Sequence, residues 1–353
     1  MRVLKPYALL AFFLGVFFIS FAKPYKGAEI YSQNAVLYGK FEFRMRAAKG
    51  GGILSTFFLY KNGSEQAGTY WEEIDVEVFG KNNALAFQSN IITDGLNNLP
   101  LTLSEQHHTR PTSLGDDYHT FALEWTPDYV AWFIDGTEVR RTVGGQVANL
   151  TNAMTMRFNL WASTSPSWAG TFDDTVLPVH QYISWLKYSS YSDGVFTHEW
   201  TDDFTSFNST RWAMANWTFD GNYVDFTPAN LTVQNGILVL SLTTETATGF
   251  TGTVPEDLVS GIFSGDKTNI PFLLEPNPVA DHQLHLDLSS HKKNSCEISL
   301  YNSQGILILS KKVKAKEDTL IELPETLKSG IYFLVIQSSR GLSSKNFIVD
   351  YLK

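Results

Sequence analysis

Residues 70–80 read YWEEIDVEVFG, with four acids between positions 72 and 77 and branched apolar residues threaded among them. Taken as a β-strand, the stretch puts Glu73, Asp75 and Glu77 on one face and Ile74, Val76 and Val78 on the other. That two-residue period belongs to a strand with one face on a core. An edge strand with a solvated acidic face has the same spacing. Here the alternate aliphatics and the flanking Tyr70, Trp71 and Phe79 argue for a central strand. Three carboxylates then share one covered face, where each makes its neighbours harder to ionise.

Outward from this strand, similar runs recur at 40–47, 52–60, 85–92, 119–126, 129–142, 155–162, 182–188, 223–227 and 236–244. Asp135-Gly136 inside the fifth run is a hairpin signal. No ten-residue stretch has helical periodicity with caps. The expectation is an all-β, antiparallel jelly-roll sandwich.

With 43% apolar, 14% aromatic and only 18% charged residues, the chain can bury a large core. A net charge of −9 argues against nucleic acid and anionic membranes as partners. A lone Cys296 excludes an internal disulfide framework and multi-cysteine metal sites. Residues 1–22 carry a basic start, an apolar run and the small-x-small end Ser20-Phe21-Ala22, the pattern of a secretory leader cleaved after Ala22. An uncleaved anchor is the rival, for which the run is short. No later segment is apolar enough to cross a membrane.

All nine tryptophans lie between Trp71 and Trp217, whereas the last third has none and carries Lys311, Lys312, Lys314 and Lys316. The shift marks two domains, expected at 23–250 and 272–353, with 251–271 (rich in Gly, Thr and Pro) as linker. The tail repeats the strand pattern and is expected to form a small β-sandwich.

On an extended strand the Cα atoms of Glu73 and Glu77 stand roughly 13 Å apart, at ~3.3 Å per residue. Side chains leaning together bring the carboxyls to about 5 Å, the separation at which one acts as nucleophile and the other as acid/base on a glycosidic bond. Asp75 between them splits their proton affinities. A divalent-metal cluster is the other use of three acids, but no His stands at ligand spacing. His107 and His108, adjacent on a strand, face opposite ways and are read as a polar loop edge.

WEEIDVEVFGK resembles the E-x-D-x-E signature of glycoside hydrolase family 16, specifically its β-1,3-1,4-glucanases (lichenases). Relatives acting on laminarin, agar or carrageenan usually have one more residue before the last Glu, which is missing here. FFLYKNGSE, FQSNIITDG, HTFALEWTPDYVAWFIDGTEVRRT, RFNLWASTSPSWAG and ISWLKY are similar to lichenase segments, in lichenase order. The stretch at 199–244, however, resembles the segment that opens an ordinary lichenase. The chain is therefore similar to a naturally circularly permuted lichenase over roughly 27–255, with YSSYSDGVFTH (188–198) as the loop joining the old termini.

The resemblance implies Glu73 as nucleophile, Asp75 as helper and Glu77 as acid/base, with no cofactor for the chemistry. It implies a cleft lined by Phe58, Tyr60, Asn62, Trp71, Gln88, Asn90, Arg157, Asn159, Trp161, Trp168, Trp217 and Asp220. Aromatic faces suit pyranose rings, and amides and Arg read hydroxyls. Trp125, Trp132 and Trp185 are left to the core. Asn216 departs from the Asp of permuted relatives. A structural calcium is implied at Ser184, Asp203 and Gly236, where relatives carry Asp or Asn instead of Ser184. In the tail, EPNPV (275–279), LYNSQGILI, LKSGIYFLVIQ and KNFIV resemble the sorting domain of the type IX secretion system; a glycan-binding module is the rival, poor in the aromatics it needs.

Together these imply a secreted or cell-surface enzyme, monomeric, exported through the periplasm and handed to outer-membrane secretion machinery by its tail. The implied reaction is retaining endo-hydrolysis of β-1,3-1,4-glucan. The alternatives are β-1,3-glucan or xyloglucan hydrolysis on the same fold, and a lectin-like glycan binder.

Overall fold

A computed structural model describes residues 22–96, 99–257, 272–291, 295–302, 307–316, 318–338 and 341–351. The leader expected at 1–22 lies outside the described residues except for Ala22, and so does 258–271 of the expected linker.

Between residues 25 and 244 the strands are β1 (Tyr25–Ser32), β2 (Gly39–Arg46), β3 (Ile53–Tyr60), β4 (Trp71–Phe79), β5 (Ala86–Asp94), β6 (Leu101–Leu103), β7 (Gln106–Thr109), β8 (His119–Trp125) and β9 (Tyr129–Ile134). They continue as β10 (Thr137–Val143), β11 (Thr155–Ala162), β12 (Val179–Ser192), β13 (Val195–Asp202), β14 (Trp212–Met214), β15 (Val224–Phe226), β16 (Leu231–Gln234) and β17 (Ile237–Thr244). One layer runs β14-β1-β11-β3-β4-β5, with β6 and β7 sharing the outer edge of β5. The other runs β16-β17-β12-β2-β8-β9-β10, with β13 hairpinned onto the far half of β12. All these pairings are antiparallel, and the sandwich expected from strand periodicity is what forms.

The core between the layers is aromatic. Phe43 of β2 meets Phe57 of β3 at 4.3 Å between ring centroids, and Phe57 meets Phe158 of β11 at 4.9 Å. Burying each such ring contributes about 1.5–3 kcal/mol. Two polar ties also cross the layers. Trp132 donates its indole N–H to the Asp75 carbonyl at 2.9 Å. Arg140, stacked 4.4 Å from the Trp132 ring, donates to the Ser89 carbonyl at 2.9 Å. Trp125 and Trp132 are fully buried as expected, but Trp185 is only half-buried, at a bulge of β12.

Three expectations need correction. The stretch 188–198 is no loop: it is the end of β12, an Asp193-Gly194 turn and the start of β13, with Ser192 paired to Val195. Both turn residues have positive φ, 51° and 83°, the two-residue hairpin that matches strand twist. His107 and His108 lie on β7, stacked on Phe79 and Phe87, rather than on a loop. And the first domain does not end at 250. Residues 245–257 fold over the second layer, where Val254 joins Tyr118, Ile237 and Val239, and Asp257 accepts from buried Arg44 Nε at 2.8 and 2.9 Å.

The tail is a separate small sandwich. Its three-stranded sheet is β18 (Leu273–Glu275), β19 (Gln283–Asp287) and β22 (Thr319–Glu322). Its four-stranded sheet orders β21 (Leu307–Lys314), β20 (Ser295–Asn302), β23 (Gly330–Ser338) and β24 (Gly341–Val349), over a core that includes Ile298, Leu334 and Ile336.

Candidate active site

Alternation along the first layer decides what enters the cleft. On β4 Ile74, Val76 and Val78 are at most 1% exposed in the core, so Glu73, Asp75 and Glu77 must point outward. Glu72, on the core side, is fully buried and accepts hydrogen bonds from Thr151 N, Asn152 N and Asn152 Nδ2, which gives the fourth acid of the run a structural role.

Register then sets the acids in rows that cross the layer. One row is Glu29-Asn159-Thr56-Glu77-Gln88, the next Tyr31-Arg157-Phe58-Asp75-Asn90, and the third pairs Tyr60, Glu73 and Ile92. The result is a cleft of about 740 Å³ whose floor holds all three acids, within the size range of small-ligand and saccharide sites.

Asp75 is buried while Glu73 and Glu77 are half-buried on the cleft floor, and desolvation there is the main cause that raises each of their pKa values: Glu73 to about 7, Glu77 to about 8, and Asp75 well above its usual range. The neighbours separate their roles. Glu73 Oε2 accepts the Trp71 indole N–H at 2.6 Å, takes a hydrogen bond from Asp75 and feels the Arg157 cation, all of which favour its ionised form. Asp75 is held protonated by burial and by the charges of Glu73 and Glu77. Glu77 is raised further by Glu73 and by Glu105, against the pull of Gln88, whose Nε2 donates to Oε2 at 2.9 Å. Gln88 is oriented in turn by the Trp168 indole N–H, which donates to its Oε1 at 3.1 Å and leaves the amide N–H₂ for Glu77. One carboxylate and one carboxylic acid on the same face can attack and protonate a glycosidic bond.

Of the cleft residues expected from sequence, Phe58, Tyr60, Asn62, Trp71, Arg157, Asn159, Trp161 and Trp217 line the cavity. Gln88 and Trp168 act at its edge through Glu77. Asn90 lies outside the lining, its Oδ1 accepting from Ser104 N at 3.0 Å, and exposed Asp220 is outside it too. Eight lining residues lie outside the set expected from sequence: Glu29, Tyr31, Thr56, Gly63, Glu65, Ile92, Thr218 and Phe219. Glu29 takes Arg157 Nη1 at 2.9 Å and Asn159 Nδ2 at 3.1 Å, and burial raises its pKa. Glu65 takes the Tyr60 hydroxyl at 2.6 Å, which lowers its own pKa. Alternation within YKGAEIYS carried the signal for Glu29 and Tyr31, between buried Ala28 and Ile30.

In the second layer, β12 changes partner at Ser184: Ile183 pairs with Leu238 of β17, and Leu186 with Asp202 of β13. There the Asp203 carbonyl lies 3.7 Å from where a Cβ on Gly236 would stand, and the buried Ser184 hydroxyl has no hydrogen-bond partner. Main-chain oxygens with a spare hydroxyl fit a hard cation.

Residues 15–186 match the family described as Glycosyl hydrolases family 16, and 275–350 match the Secretion system C-terminal sorting domain. A β-glucanase of Fibrobacter succinogenes is 49% identical over 243 residues, covering 67% of this chain and 69% of that protein. The chain belongs to glycosyl hydrolases family 16. A second relative, the β-glucanase of Bacillus amyloliquefaciens, is 35% identical over 156 residues, 43% of this chain and 59% of its own length. The solved Bacillus licheniformis β-glucanase is 28% identical with a TM-score of 0.40, over 46% of this chain and 71% of that one. As a family 16 chain it is a glycoside hydrolase, and its tail is of a kind that directs export.

Proposed function

We propose that this glycoside hydrolase is a retaining endo-β-1,3-1,4-glucanase. The observation that carries the reading is the row of three acids on one cleft face, with Glu73 the one stabilised as carboxylate and Glu77 raised to about 8. Relatives named β-glucanase support the substrate class. Glu73 attacks the anomeric carbon while Glu77 gives its proton to the departing oxygen. Glu77, now a base, takes a proton from water, which releases the sugar from Glu73. Asp75 donates to Glu73 and tempers its charge between the steps. The cleft aromatics Phe58, Tyr60, Trp71, Trp161 and Trp217 stack on sugar rings, while Asn62, Arg157 and Asn159 read hydroxyls.

The order of segments is that of a circular permutant: β14 and β15, late in the chain, pair with β1 at its start. Ser184, Asp203 and Gly236 hold a structural calcium ion that joins β12, β13 and β17 and takes no part in the reaction. The enzyme is released or displayed outside the cell by the type IX system, and no partner chain is needed.

Reducing-sugar release from barley β-glucan, laminarin and xyloglucan tests the substrate; turnover of laminarin alone overturns the mixed-linkage reading. E73Q and E77Q each lower kcat by at least about 10²–10⁴-fold, the range of acid–base catalysis, with unchanged circular dichroism. A variant that cleaves at the parent rate removes its residue from the mechanism.

A further inference from the structure

The loop 217–223 sends Trp217 and Phe219 into the cleft, where they meet Tyr31 at 5.1 Å and Trp161 at 5.0 Å. Both rings remain 38% exposed, so the cleft itself grips them weakly. The loop is gathered from behind by a residue nearly two hundred positions earlier. Lys23 Nζ donates to Thr218 Oγ1 at 2.6 Å, to the Phe219 carbonyl at 2.9 Å and to the Asn222 carbonyl at 2.7 Å. An ammonium has three N–H donors, and this one has three acceptors within five residues of a single loop. Its backbone N–H donates to Asp225 Oδ2 at 2.8 Å, just past the loop. Two of the acceptors are main-chain carbonyls, one of them that of Phe219 itself, so the cation fixes the backbone from which the Phe219 ring leaves toward Trp161.

We propose that Lys23 is a positioning residue for the saccharide site, holding the Trp217–Phe219 wall in its binding shape; the inference rests on the glucanase reading. Cleavage of the leader after Ala22 makes Lys23 the first residue of the mature chain. Hydrolysis of that peptide bond also turns its backbone nitrogen into an ammonium facing the Asp225 carboxylate. The point where the leader is removed is thus part of the wall of the cleft, and trimming one residue further removes the clamp.

The experiment compares four forms: the chain starting at Lys23, K23M, K23R, and a chain trimmed to start at Pro24. Each is assayed on the β-glucan that the parent cleaves, and each is melted. K23M and the trimmed chain should raise KM about three- to tenfold, the worth of one aromatic–sugar contact, with kcat within about twofold. K23R, which can donate to the same carbonyls, should keep most of the parent KM. An unchanged KM in K23M with a lowered Tm makes Lys23 a purely structural anchor and overturns the proposal. So does a K23R as impaired as K23M. A parent that cleaves no β-glucan overturns the glucanase reading itself, which tells the two failures apart.

Discussion

Glu77 shows at the scale of one residue how catalysis and stability oppose each other. Its carboxyl is raised to about 8 in the folded protein, mainly by burial and then by the charge of Glu73. A raised value means the folded state holds a proton that the unfolded chain gives up near the ordinary 4.5. Its contribution is therefore fully present below that value and is lost as pH rises through about 8. Glutamine has no proton to lose, so E77Q should be more stable than the parent by a margin that widens from about pH 5 to about pH 8. Thermal melts across that range check this, and a margin that stays flat removes the buried, protonated Glu77 from the account. The same proton makes kcat/KM fall as pH rises through about 8. Glu72, one position before Glu73, shows how far one step along a strand changes a carboxylate: it is spent on three donors of the 151–152 loop.

At the scale of elements, β12 organises the second layer by serving three neighbours. It pairs with β2 along one edge and with β17 then β13 along the other, and the hand-over falls at Ser184, whose buried hydroxyl has no hydrogen-bond partner. The calcium ion proposed there would tie β13 to β17, each of which pairs with β12. Chelation with EDTA should lower Tm by about 5–10 °C where the ion had been at a hundredfold its Kd, and kcat at low temperature should not change. A Tm indifferent to both EDTA and added calcium disposes of the ion. The β12–β13 hairpin was legible: Asp193-Gly194 is the same two-residue signal as Asp135-Gly136. Its flanks weaken the signal: VFTHEW is mostly exposed and YSSYS runs from buried Tyr188 and Ser189 to exposed Ser192, so neither has the core alternation that marks a buried strand.

For the molecule as a whole, the end of the catalytic unit is set by an ion pair. Arg44 and Asp257 are 4% and 1% exposed, so removing the acid leaves a buried cation unpaired, at a cost of about 3–5 kcal/mol. A chain ending at Asp257 should keep the Tm and activity of the longer one, whereas a chain ending at Ala247 should melt well below it. Equal melting of the two truncated forms shows that 248–257 is linker after all. No composition shift reveals this boundary, because TGFTGTVPED is rich in loop residues and becomes ordered only through what it lies against.

Sequence alone determined which side chains of the acidic strand share a face, since a two-residue period is a local property and one slip would bury three acids. It also determined the all-β class and eight of the cavity-lining side chains. Only the tertiary structure decided which distant strands cross that strand. Register brings Glu29 and Tyr31 onto rows with Glu77 and Asp75 across four strands, and Lys23 reaches a loop near residue 220. Such neighbours are set by sheet pairing and burial between segments far apart in the chain, and no local pattern records them.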